Sequence, residues 1–367
     1  MKLITSIKNI KRAVIQADKI TSKNSSHPVL GSILLRTVKD GLNIRSTNLS
    51  LGVDITIPAT VEKEGEVAVP GSLLVGIFSS LSEKDEITFD LIGDTLSVSA
   101  QGVNLVVNTI ETDEFPSIPK VEGLSFSLSV KKFLNGLKSV YYSASVSDIK
   151  PEISSVFIYP ENNDSIFFVS TDTFRLAEKK INVDSIPDFD GMLIPYKNIA
   201  DILRVLGDHE EEDMEVIFNK NQISFKTKRV YLTSRLIDGV FPDYRQILPK
   251  ENQTNIIVLK EDLINALRLA NIFSDKFNQV TMVVDPKAGI FEISSKNAGV
   301  GENNSTLEAT LSGDPITLNI NYKYLLDCFQ SIFEESVTLE FTEAKRPMIV
   351  RAVSDKTFLY LIMPINR

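Results

Sequence analysis

Apolar and polar positions along the chain follow two periods, and the same order of periods recurs three times. An apolar residue at every third or fourth position predicts an amphipathic helix, whereas strict alternation predicts a half-buried strand. Six stretches have the helical period, and they begin at Ser6, Val69, Ser129, Ile194, Leu259 and Ile320. Equivalent helices lie about 125 residues apart, which predicts three copies of one structural repeat.

Alternating segments follow every predicted helix. DEITFDL, DMEVIFN and SVTLEFT stand after the second helix of the successive repeats, and turn residues at 39–41, 161–164 and 285–289 separate other alternating runs, as hairpin loops do. The predicted repeat is strand, helix, several strands, helix, several strands. The predicted fold class is therefore α+β, with two helices packed on antiparallel sheets in each of three domains, at residues 1–119, 120–249 and 250–367.

Two proline-containing segments recur at the same interval as the helices. EFPSIPK spans residues 114–120 and VFPDYRQILPK spans residues 240–250, so the Phe-Pro pairs lie about 126 residues apart. Proline fixes φ and lacks a backbone donor, so it ends strands and stiffens the chain. We interpret the two segments as stiff bridges that end the first and second repeats. Chance recurrence is the alternative, and the shared interval argues against it.

Composition narrows the class of protein. The chain has 367 residues, of which 43% are hydrophobic and 24% charged, as is typical of a globular protein with two or three domains. No apolar run reaches the length of a membrane span, and the first residues lack the apolar core of a secretory signal. A single cysteine, Cys328, rules out an intramolecular disulfide framework. Together these features predict a cytoplasmic location.

The net charge of −9 argues against nucleic acid unless the cations gather on one face. On the first helix, Lys8, Lys11, Arg12 and Lys19 fall within an arc of about 100°, opposite an apolar stripe. We predict that these and the cations of equivalent helices face a polyanion, through phosphate contacts that carry no sequence information. The further candidates are Lys23, Lys131, Lys138, Lys197, Arg204, Lys260, Arg268 and Lys323. The alternative is an ordinary solvated helix face.

Several segments give the whole chain a family resemblance. HPVLGSILL from His27, STDTFRLA from Ser170, LIDGVFPDYRQILPK from Leu236 and MPINR from Met363 resemble the recurring segments of the bacterial sliding clamp, the beta subunit of DNA polymerase III. Two departures stand out. Thr173 and Phe174 replace the glycine and histidine usual in that family, and the chain ends in Asn366-Arg367 rather than an Arg-Leu type of ending.

The resemblance implies a fold, an assembly and a function. It implies the DNA clamp fold and a head-to-tail, ring-shaped homodimer that encircles double-stranded DNA without sequence specificity. The ring would confer processivity by tethering the replicative polymerase, the clamp loader and other proteins that carry clamp-binding motifs. By family position, the dimer interface would contain Leu105, Val107, Ile272 and Phe273. The alternative for these four residues is ordinary core packing.

The resemblance also implies a hydrophobic pocket for partner peptides in which a glutamine precedes hydrophobic residues. Arg175 would anchor a backbone or carboxylate oxygen of the peptide. The alternative for the final apolar stretch is a buried strand, since alternate side chains face opposite sides. The predicted pocket residues are Ile153, Thr171, Thr173, Phe174, Arg175, Leu176, Pro242, Ile247, Pro347, Leu361, Ile362, Met363, Pro364 and Ile365.

Residues that carry catalytic chemistry form no convincing set in the sequence. His27 and His209 have no second ligand at metal-binding spacing, and Cys328 lies beside an apolar helix stripe, which favours a core position. The GVG at Gly299 lacks the third glycine of a dinucleotide motif. We therefore predict a non-catalytic protein without cofactor or metal. An enzyme with its site in a groove between repeats is the alternative.

Overall fold

The structure is a computed structural model of the chain. It describes residues 1–22, 27–39, 41–100, 102–249, 251–274 and 276–365. The α-helices in this part of the chain are Ile7–Ile20 (α1), Gly71–Ser79 (α2), Val130–Val140 (α3), Tyr196–Gly207 (α4), Lys260–Ile272 (α5) and Tyr322–Cys328 (α6). Short 3-10 helices span Pro28–Gly31, Tyr141–Ser143, Tyr244–Ile247 and Phe329–Ser331. The six helices predicted from the periodicity are confirmed.

Strands fill most of the remaining chain. The first repeat contains Lys2–Ser6 (β1), Ser32–Val38 (β2), Gly41–Thr47 (β3), Leu51–Pro58 (β4), Thr60–Lys63 (β5), Glu66–Pro70 (β6), Glu86–Ile92 (β7), Thr95–Ala100 (β8) and Val103–Asn108 (β9). The second contains Leu124–Ser129 (β10), Ser155–Glu161 (β11), Ser165–Thr171 (β12), Arg175–Asn182 (β13), Met192–Pro195 (β14), Asp213–Phe218 (β15), Gln222–Lys226 (β16) and Val230–Arg235 (β17). The third contains Thr254–Leu259 (β18), Gln279–Asp285 (β19), Ile290–Asn297 (β20), Gly301–Thr306 (β21), Ala309–Gly313 (β22), Ile316–Asn321 (β23), Ser336–Phe341 (β24), Met348–Ala352 (β25) and Phe358–Ile362 (β26).

Spatial contacts divide the chain into two compact units. The N-terminal unit comprises Met1–Leu134, Ser185–Pro187 and Lys197–Leu236, and the C-terminal unit comprises Asn135–Asp184, Asp188–Tyr196 and Ile237–Arg367. The division falls inside the second repeat, so it does not test the three predicted domain boundaries, which stay a prediction.

Each unit contains two antiparallel sheets, and one of them joins strands of two repeats. In the N-terminal unit the sheet orders are β5-β1-β7-β8-β9 and β10-β15-β16-β17-β4-β3-β2-β6. In the C-terminal unit they are β14-β11-β12-β13-β26-β25-β24-β18-β22 and β21-β20-β19-β23. The last strand of the second repeat (β17) pairs with the first repeat through β4, and the last strand of the third (β26) pairs with the second through β13. Consecutive repeats are thus joined by backbone hydrogen bonds.

The helices bury the faces that their sequence periodicity predicts. On α1, Ile10, Val14 and Ala17 are fully buried, whereas Lys8 and Arg12 are exposed. The helix packs against α2 and against strands β3 and β4 of its own repeat. Removal of this apolar stripe from water holds the helix on its sheet, because each buried aliphatic side chain contributes about 1.5–3 kcal/mol.

The proline-containing segments pack more closely than stiff bridges would. Phe241 and Tyr244 of the second segment are buried in a cluster that includes Leu176 and Leu361. In the first segment, Ile118 lies against Gly52 of β4. Each segment therefore covers the strands that join two repeats, so the interpretation of them as simple spacers is incomplete.

Two helical glycines give a matched test of packing. A Cβ on Gly136 of α3 would lie 2.5 Å from the ring of Phe168, whereas a Cβ on Gly76 of α2 would have no neighbour within 4 Å. We expect Gly136→Ala to lower the free energy of unfolding by about 1–3 kcal/mol through overpacking. Gly76→Ala is expected to raise it by up to about 1 kcal/mol, because alanine favours the helix. Urea unfolding measures both, and a Gly136→Ala variant as stable as the parent protein would contradict this packing.

Candidate functional site

A tight turn between β12 and β13 forms one side of the predicted pocket. The Asp172 carboxylate accepts hydrogen bonds from the backbone N–H groups of Phe174 and Arg175, both at 3.0 Å. The Thr171 hydroxyl donates to the Arg175 carbonyl at 2.6 Å and accepts from the Thr173 N–H at 3.1 Å. These bonds hold Thr173 at a φ of 78°, in the left-handed region that costs a side chain about 1–2 kcal/mol. The turn leaves the Phe174 side chain 60% exposed.

The residues after β26 run beside this turn. The Met363 N–H donates to the Phe174 carbonyl at 2.8 Å, and the Ile365 N–H donates to the Asn319 carbonyl at 2.7 Å. Leu361 on β26 is paired with Leu176 on β13. The structure therefore brings together the turn and the final apolar residues, which lie far apart in the sequence.

Apolar side chains form the floor between these segments. Leu176 and Leu361 belong to one buried cluster, and Leu248 and Met363 are partly buried against it. At the rim, Ile247 is 46% exposed and Pro242 is also exposed. Leu176 and Leu361 are each only 1% exposed, so the apolar surface that a peptide side chain can contact is formed by Leu248, Met363 and the rim.

Some predicted pocket residues are inaccessible. Side chains alternate along β26, so Leu361 points into the cluster while Ile362 is fully buried and outside it. Ile153, Pro347 and Pro364 are also buried. The Ile362 side chain lies in the core of the sheet and offers no surface to a peptide in this structure, so its place in the pocket stays a prediction.

Arg175 makes several contacts within the chain. Its guanidinium donates to the carboxylates of Asp172 and Asp327 and to the Tyr142 carbonyl, and it lies 4.6 Å from the centre of the Tyr324 ring. These contacts use donors on all three guanidinium nitrogens. Arg175 therefore fixes the turn to α6, and its predicted contact with a peptide oxygen stays a prediction.

A buried polar network lies beneath the second proline-containing segment, and the sequence analysis missed it. The Tyr244 hydroxyl donates to the Glu178 carboxylate and lies 2.7 Å from the Tyr159 hydroxyl. Arg245 donates to the Tyr159 hydroxyl at 2.8 Å and to Glu161 at 2.9 Å. Two signals in the sequence could have indicated this network. One is the alternation of β13, which turns Glu178 towards the segment, and the other is the tyrosine and arginine of FPDYR.

Burial dominates the electrostatics of this network. It raises the pKa of Glu178, and although the hydrogen bond from Tyr244 and the charges of Arg245 and Arg351 act in the opposite direction, they do not cancel it. Burial and the neighbouring carboxylate likewise raise the pKa of Tyr244, so the phenol keeps its proton and remains a donor. The network thus ties the segment to β13.

Several of the cations predicted to face a polyanion are engaged within the chain. Arg12 of α1 forms an ion pair with Asp208, which follows α4, with 2.8 Å between the charged atoms. Lys11 pairs with Glu83 at 3.0 Å. Two further contacts are those of Arg204 with Asp201 at 3.0 Å and of the Lys260 ammonium with the Ile332 carbonyl at 2.7 Å. These contacts offset part of the positive charge that the sequence assigned to the helix faces.

The remaining predicted cations are on the surface. Lys8, Lys19, Lys131, Lys197, Arg268 and Lys323 are exposed and have no ion pair within the described parts of the chain. Lys138 is also exposed, and Lys23 lies outside the described residues. Contact with nucleic acid stays a prediction for this set.

The predicted dimer-interface residues differ in exposure. Val107 is only 5% exposed because its side chain faces the core of its own sheet, whereas the neighbouring Val106 is 73% exposed. Val107 therefore offers little surface to a second chain, and the predicted interface stays a prediction. Ile272, at the end of α5, is 60% exposed, and Leu105 and Phe273 are partly exposed.

The isolated chemical groups named in the sequence are structural. Cys328 is buried, as predicted, and its thiol donates to the Leu325 carbonyl. His209 lies 2.7 Å from the Glu212 carboxylate. Within the described residues, no group of three or more His, Cys, Asp and Glu side chains is arranged to hold a metal ion. Among the described helices, none combines the length and apolar character that a membrane crossing requires.

Comparison with known families assigns all parts of the chain to one family. The sequence models named DNA polymerase III beta subunit N-terminal, central and C-terminal domain match residues 1–119, 127–243 and 245–366. The three matches follow in order and cover nearly the whole chain.

Individual relatives agree with this assignment. The chain is 25% identical to the beta sliding clamp of Synechocystis sp., with 100% of this chain and 99% of that protein covered, and 25% identical to the beta sliding clamp of Staphylococcus aureus strain Mu50, with 95% and 94% covered. It is also similar to the solved sliding clamps of Pseudomonas aeruginosa bound to griselimycin (TM-score 0.94, 22% identity, 100% of both chains) and Bacillus subtilis (TM-score 0.93, 23% identity, 100% and 99%). The structural likenesses show the fold.

The raised pKa of Glu178 predicts a pH-dependent stability. A carboxyl whose pKa is raised on folding stabilises the fold while protonated and loses that contribution as the pH rises through its folded pKa. We expect Glu178→Gln, which stays neutral and can accept from Tyr244, to raise the melting temperature by about 2 °C at pH 8. The gain should shrink as the pH falls through the raised pKa of Glu178, because the carboxyl then also becomes neutral. The exposed Glu343→Gln is the control, and a lower melting temperature for Glu178→Gln at pH 8 would contradict the analysis.

Proposed function

Since the chain belongs to the DNA polymerase III beta subunit family, we propose that it is a DNA sliding clamp, a ring that encircles duplex DNA and tethers the replicative polymerase to it. The observation that carries the proposal is the ordered match of all three domain models of this family. In this role the protein confers processivity in the cytoplasm as a scaffold, without catalysis of its own.

The strand pairing supports a head-to-tail dimer. The last strand of the second repeat pairs with β4 of the first repeat, and the last strand of the third repeat pairs with β13, the equivalent strand of the second. By the same rule, the last strand of the first repeat, β9, should pair with β21 of the third. In the described chain both are edge strands without that partner. Pairing of β9 with β21 of a second copy satisfies the rule and, applied twice, closes a ring of two chains.

Encirclement lowers the affinity for DNA that the protein needs. A closed ring cannot leave the duplex sideways, so weak and exchangeable phosphate contacts are sufficient and do not prevent sliding. The exposed cations Lys8, Lys19, Lys131 and Lys197 are suited to such contacts, which carry no sequence information. A tethered polymerase then stays at high effective concentration near its template.

Partner proteins are proposed to bind at the apolar surface between the turn and the final residues. Phe174 and Ile247 offer exposed apolar side chains at its rim, and Met363 gives the floor an adaptable thioether. This surface fits a linear peptide with hydrophobic residues after a glutamine, supplied by the polymerase, the clamp loader and other clamp-binding proteins. Thr173 and Phe174 should alter which peptides bind best, because they occupy the turn itself.

Retention on circular DNA tests the ring. The protein, loaded on a nicked circular plasmid, should remain bound and be released when the plasmid is linearised. Ile272→Glu should raise the dimer dissociation constant at least about tenfold and abolish retention, because burial of a charge at an apolar contact is costly. The exposed Ile149→Glu is the control. Equal retention on circular and linear DNA would refute encirclement, and a dimeric Ile272→Glu in sedimentation would exclude that residue from the interface.

A charge at the pocket rim tests the partner site. Ile247→Asp should weaken binding of a glutamine-containing hydrophobic peptide about tenfold, since it replaces apolar surface with a charge. The same change at Ile257, which is also exposed but lies on β18, should leave affinity unchanged. Fluorescence anisotropy measures the affinity. Both variants should remain dimers, and undiminished binding by Ile247→Asp would argue against this pocket.

A further inference from the structure

The junction between the first and second repeats reproduces the backbone of the partner pocket. Asn48 accepts hydrogen bonds from the N–H groups of Ser50 and Leu51 at 2.9 and 2.7 Å. The Thr47 hydroxyl donates to the Leu51 carbonyl at 2.7 Å and accepts from the Leu49 N–H at 3.0 Å. Leu49 has a φ of 70°. Bond for bond, this is the turn from Thr171 to Arg175.

The neighbouring strand and bridge are equivalent as well. The Arg235 N–H donates to the Ser50 carbonyl at 2.9 Å, as the Met363 N–H donates to the Phe174 carbonyl. Gly52 is paired with Thr233, in the register that pairs Leu176 with Leu361. All of these first-junction residues belong to the N-terminal unit. The internal repeat thus supplies a second copy of the pocket framework.

The side chains on this framework are different. Gly52, Thr233 and Arg235 stand where the second junction has Leu176, Leu361 and Met363. The space above Gly52 is occupied by Ile118 of the bridge, whose side-chain carbons would lie 3.0–3.2 Å from an added Cβ. The chain's own bridge therefore fills the apolar slot, and a partner cannot bind there in the manner proposed for the second junction.

Two cavities remain on either side of this bridge. A cavity of about 270 Å³ lies beside residues 116–119 and is lined by Gln222, Thr233 and Arg235. A larger one of about 500 Å³ lies beside residues 120–122 and is lined by the β16–β17 turn. Ile118 borders both cavities, and we name the two together the first-junction groove.

Positive charge is concentrated on the walls of this groove, in a chain whose net charge is −9. Lys120, Lys228, Arg229 and Arg235 line it, are exposed, and their side chains form no ion pair among the described residues. The backbone N–H of Lys228 does bond the Glu212 carboxylate. Two other lining cations are neutralised: Arg45 by Asp54 at 2.6 Å, and Lys226 by Glu215 at 3.3 Å. Glu122 is the one acidic lining residue outside such a pair among the described residues.

The floor of the larger cavity is apolar. Ile118, Val121, Ile217 and Val230 line it, and the Tyr231 hydroxyl is tied down because it accepts from the Val121 N–H at 2.8 Å and donates to the Pro119 carbonyl at 3.2 Å. Aliphatic side chains suit an apolar peptide side chain, whereas sites for single-stranded nucleic acid typically offer aromatic faces for bases to stack on. The walls and floor together favour a peptide.

We propose that the first-junction groove binds an acidic peptide segment of a partner protein, with carboxylates on Lys120, Lys228, Arg229 and Arg235 and an aliphatic side chain on the floor. The proposal rests on the proposed function in one respect, namely that the second junction is a peptide site whose framework this one copies. Unlike that pocket, the groove selects by charge, so its affinity should fall as salt rises.

The test uses the full-length protein and a fluorescein-labelled synthetic peptide of alternating glutamate and leucine. The peptide should bind in low salt, and Lys228→Glu combined with Arg229→Glu should weaken it about tenfold. Lys287→Glu combined with Lys345→Glu changes the net charge by the same amount at exposed sites of the C-terminal unit. This control should change the affinity for the peptide much less than the groove variant does. Unchanged melting temperatures should show that all variants fold.

Four results would overturn the proposal: no binding by the parent protein, equal binding of a peptide with glutamine in place of glutamate, preferential binding of a short oligothymidylate at the same residues, or loss of binding in Ile247→Asp. The last would place the acidic peptide at the second junction. The variant that combines Lys228→Glu with Arg229→Glu should stay on the circular plasmid as the parent protein does. If it does not, Lys228 and Arg229 contact DNA and the peptide proposal is wrong. If the parent protein itself does not stay on circular DNA, the proposed clamp function is wrong, regardless of whether the peptide binds.

Discussion

Backbone pairing between consecutive repeats is the constraint on which the other features depend. A strand that ends a repeat would otherwise expose a row of unpaired N–H and C=O groups, and such an edge invites pairing with another strand. β17 and β26 satisfy theirs on β4 and β13. Because antiparallel pairing fixes the register, it also decides which side chains meet at each junction. Leu176 meets Leu361 for this reason, and Gly52 meets Thr233.

The same constraint connects the fold of one chain to its assembly. Because each repeat is joined to the next by one strand pair, the first repeat keeps its last strand at a sheet edge and the third keeps its fourth strand at one. β9 and β21 are these strands, and Val106 and Ile272 are exposed apolar residues that the proposed contact would cover. An open chain of such contacts would grow without limit, so closure depends on the angle at each junction. The bridges packed by Phe241 and Ile118 restrain that angle.

What the sequence could predict follows from which interactions are local. Helical periodicity places Ile10 and Val14 towards the core because the helix geometry alone fixes their direction. The repeat was visible because its period is long and regular. Strand register is not local: Val107 was assigned to the interface, one residue from the exposed Val106, because the alternation gives two sets of side chains but does not say which set the sheet buries. The family resemblance assigned Arg175 to a ligand, and the sequence alone could not show its internal contacts, because two of its three acceptors, Asp327 and the Tyr142 carbonyl, come from distant segments.

The two junctions also show how one backbone supports two chemistries. Each turn is held by a threonine hydroxyl and by an Asx carboxylate or amide, so its shape does not require glycine at the left-handed position, and Leu49 and Thr173 occupy it. The backbone strain of Leu49 and Thr173 is offset by hydrogen bonds from the two residues that precede each of them. The side chains of Leu49 and Thr173 take no part in these bonds. Side chains on the framework are therefore free to diverge without loss of geometry. At the second junction they form an apolar surface, and at the first the bridge fills that space while Arg235 and its neighbours replace apolar contact with charge. One molecule would then bind two classes of peptide at two copies of the same framework. The sites would select different peptides, because the second junction uses an apolar surface for affinity and the first uses positive charge.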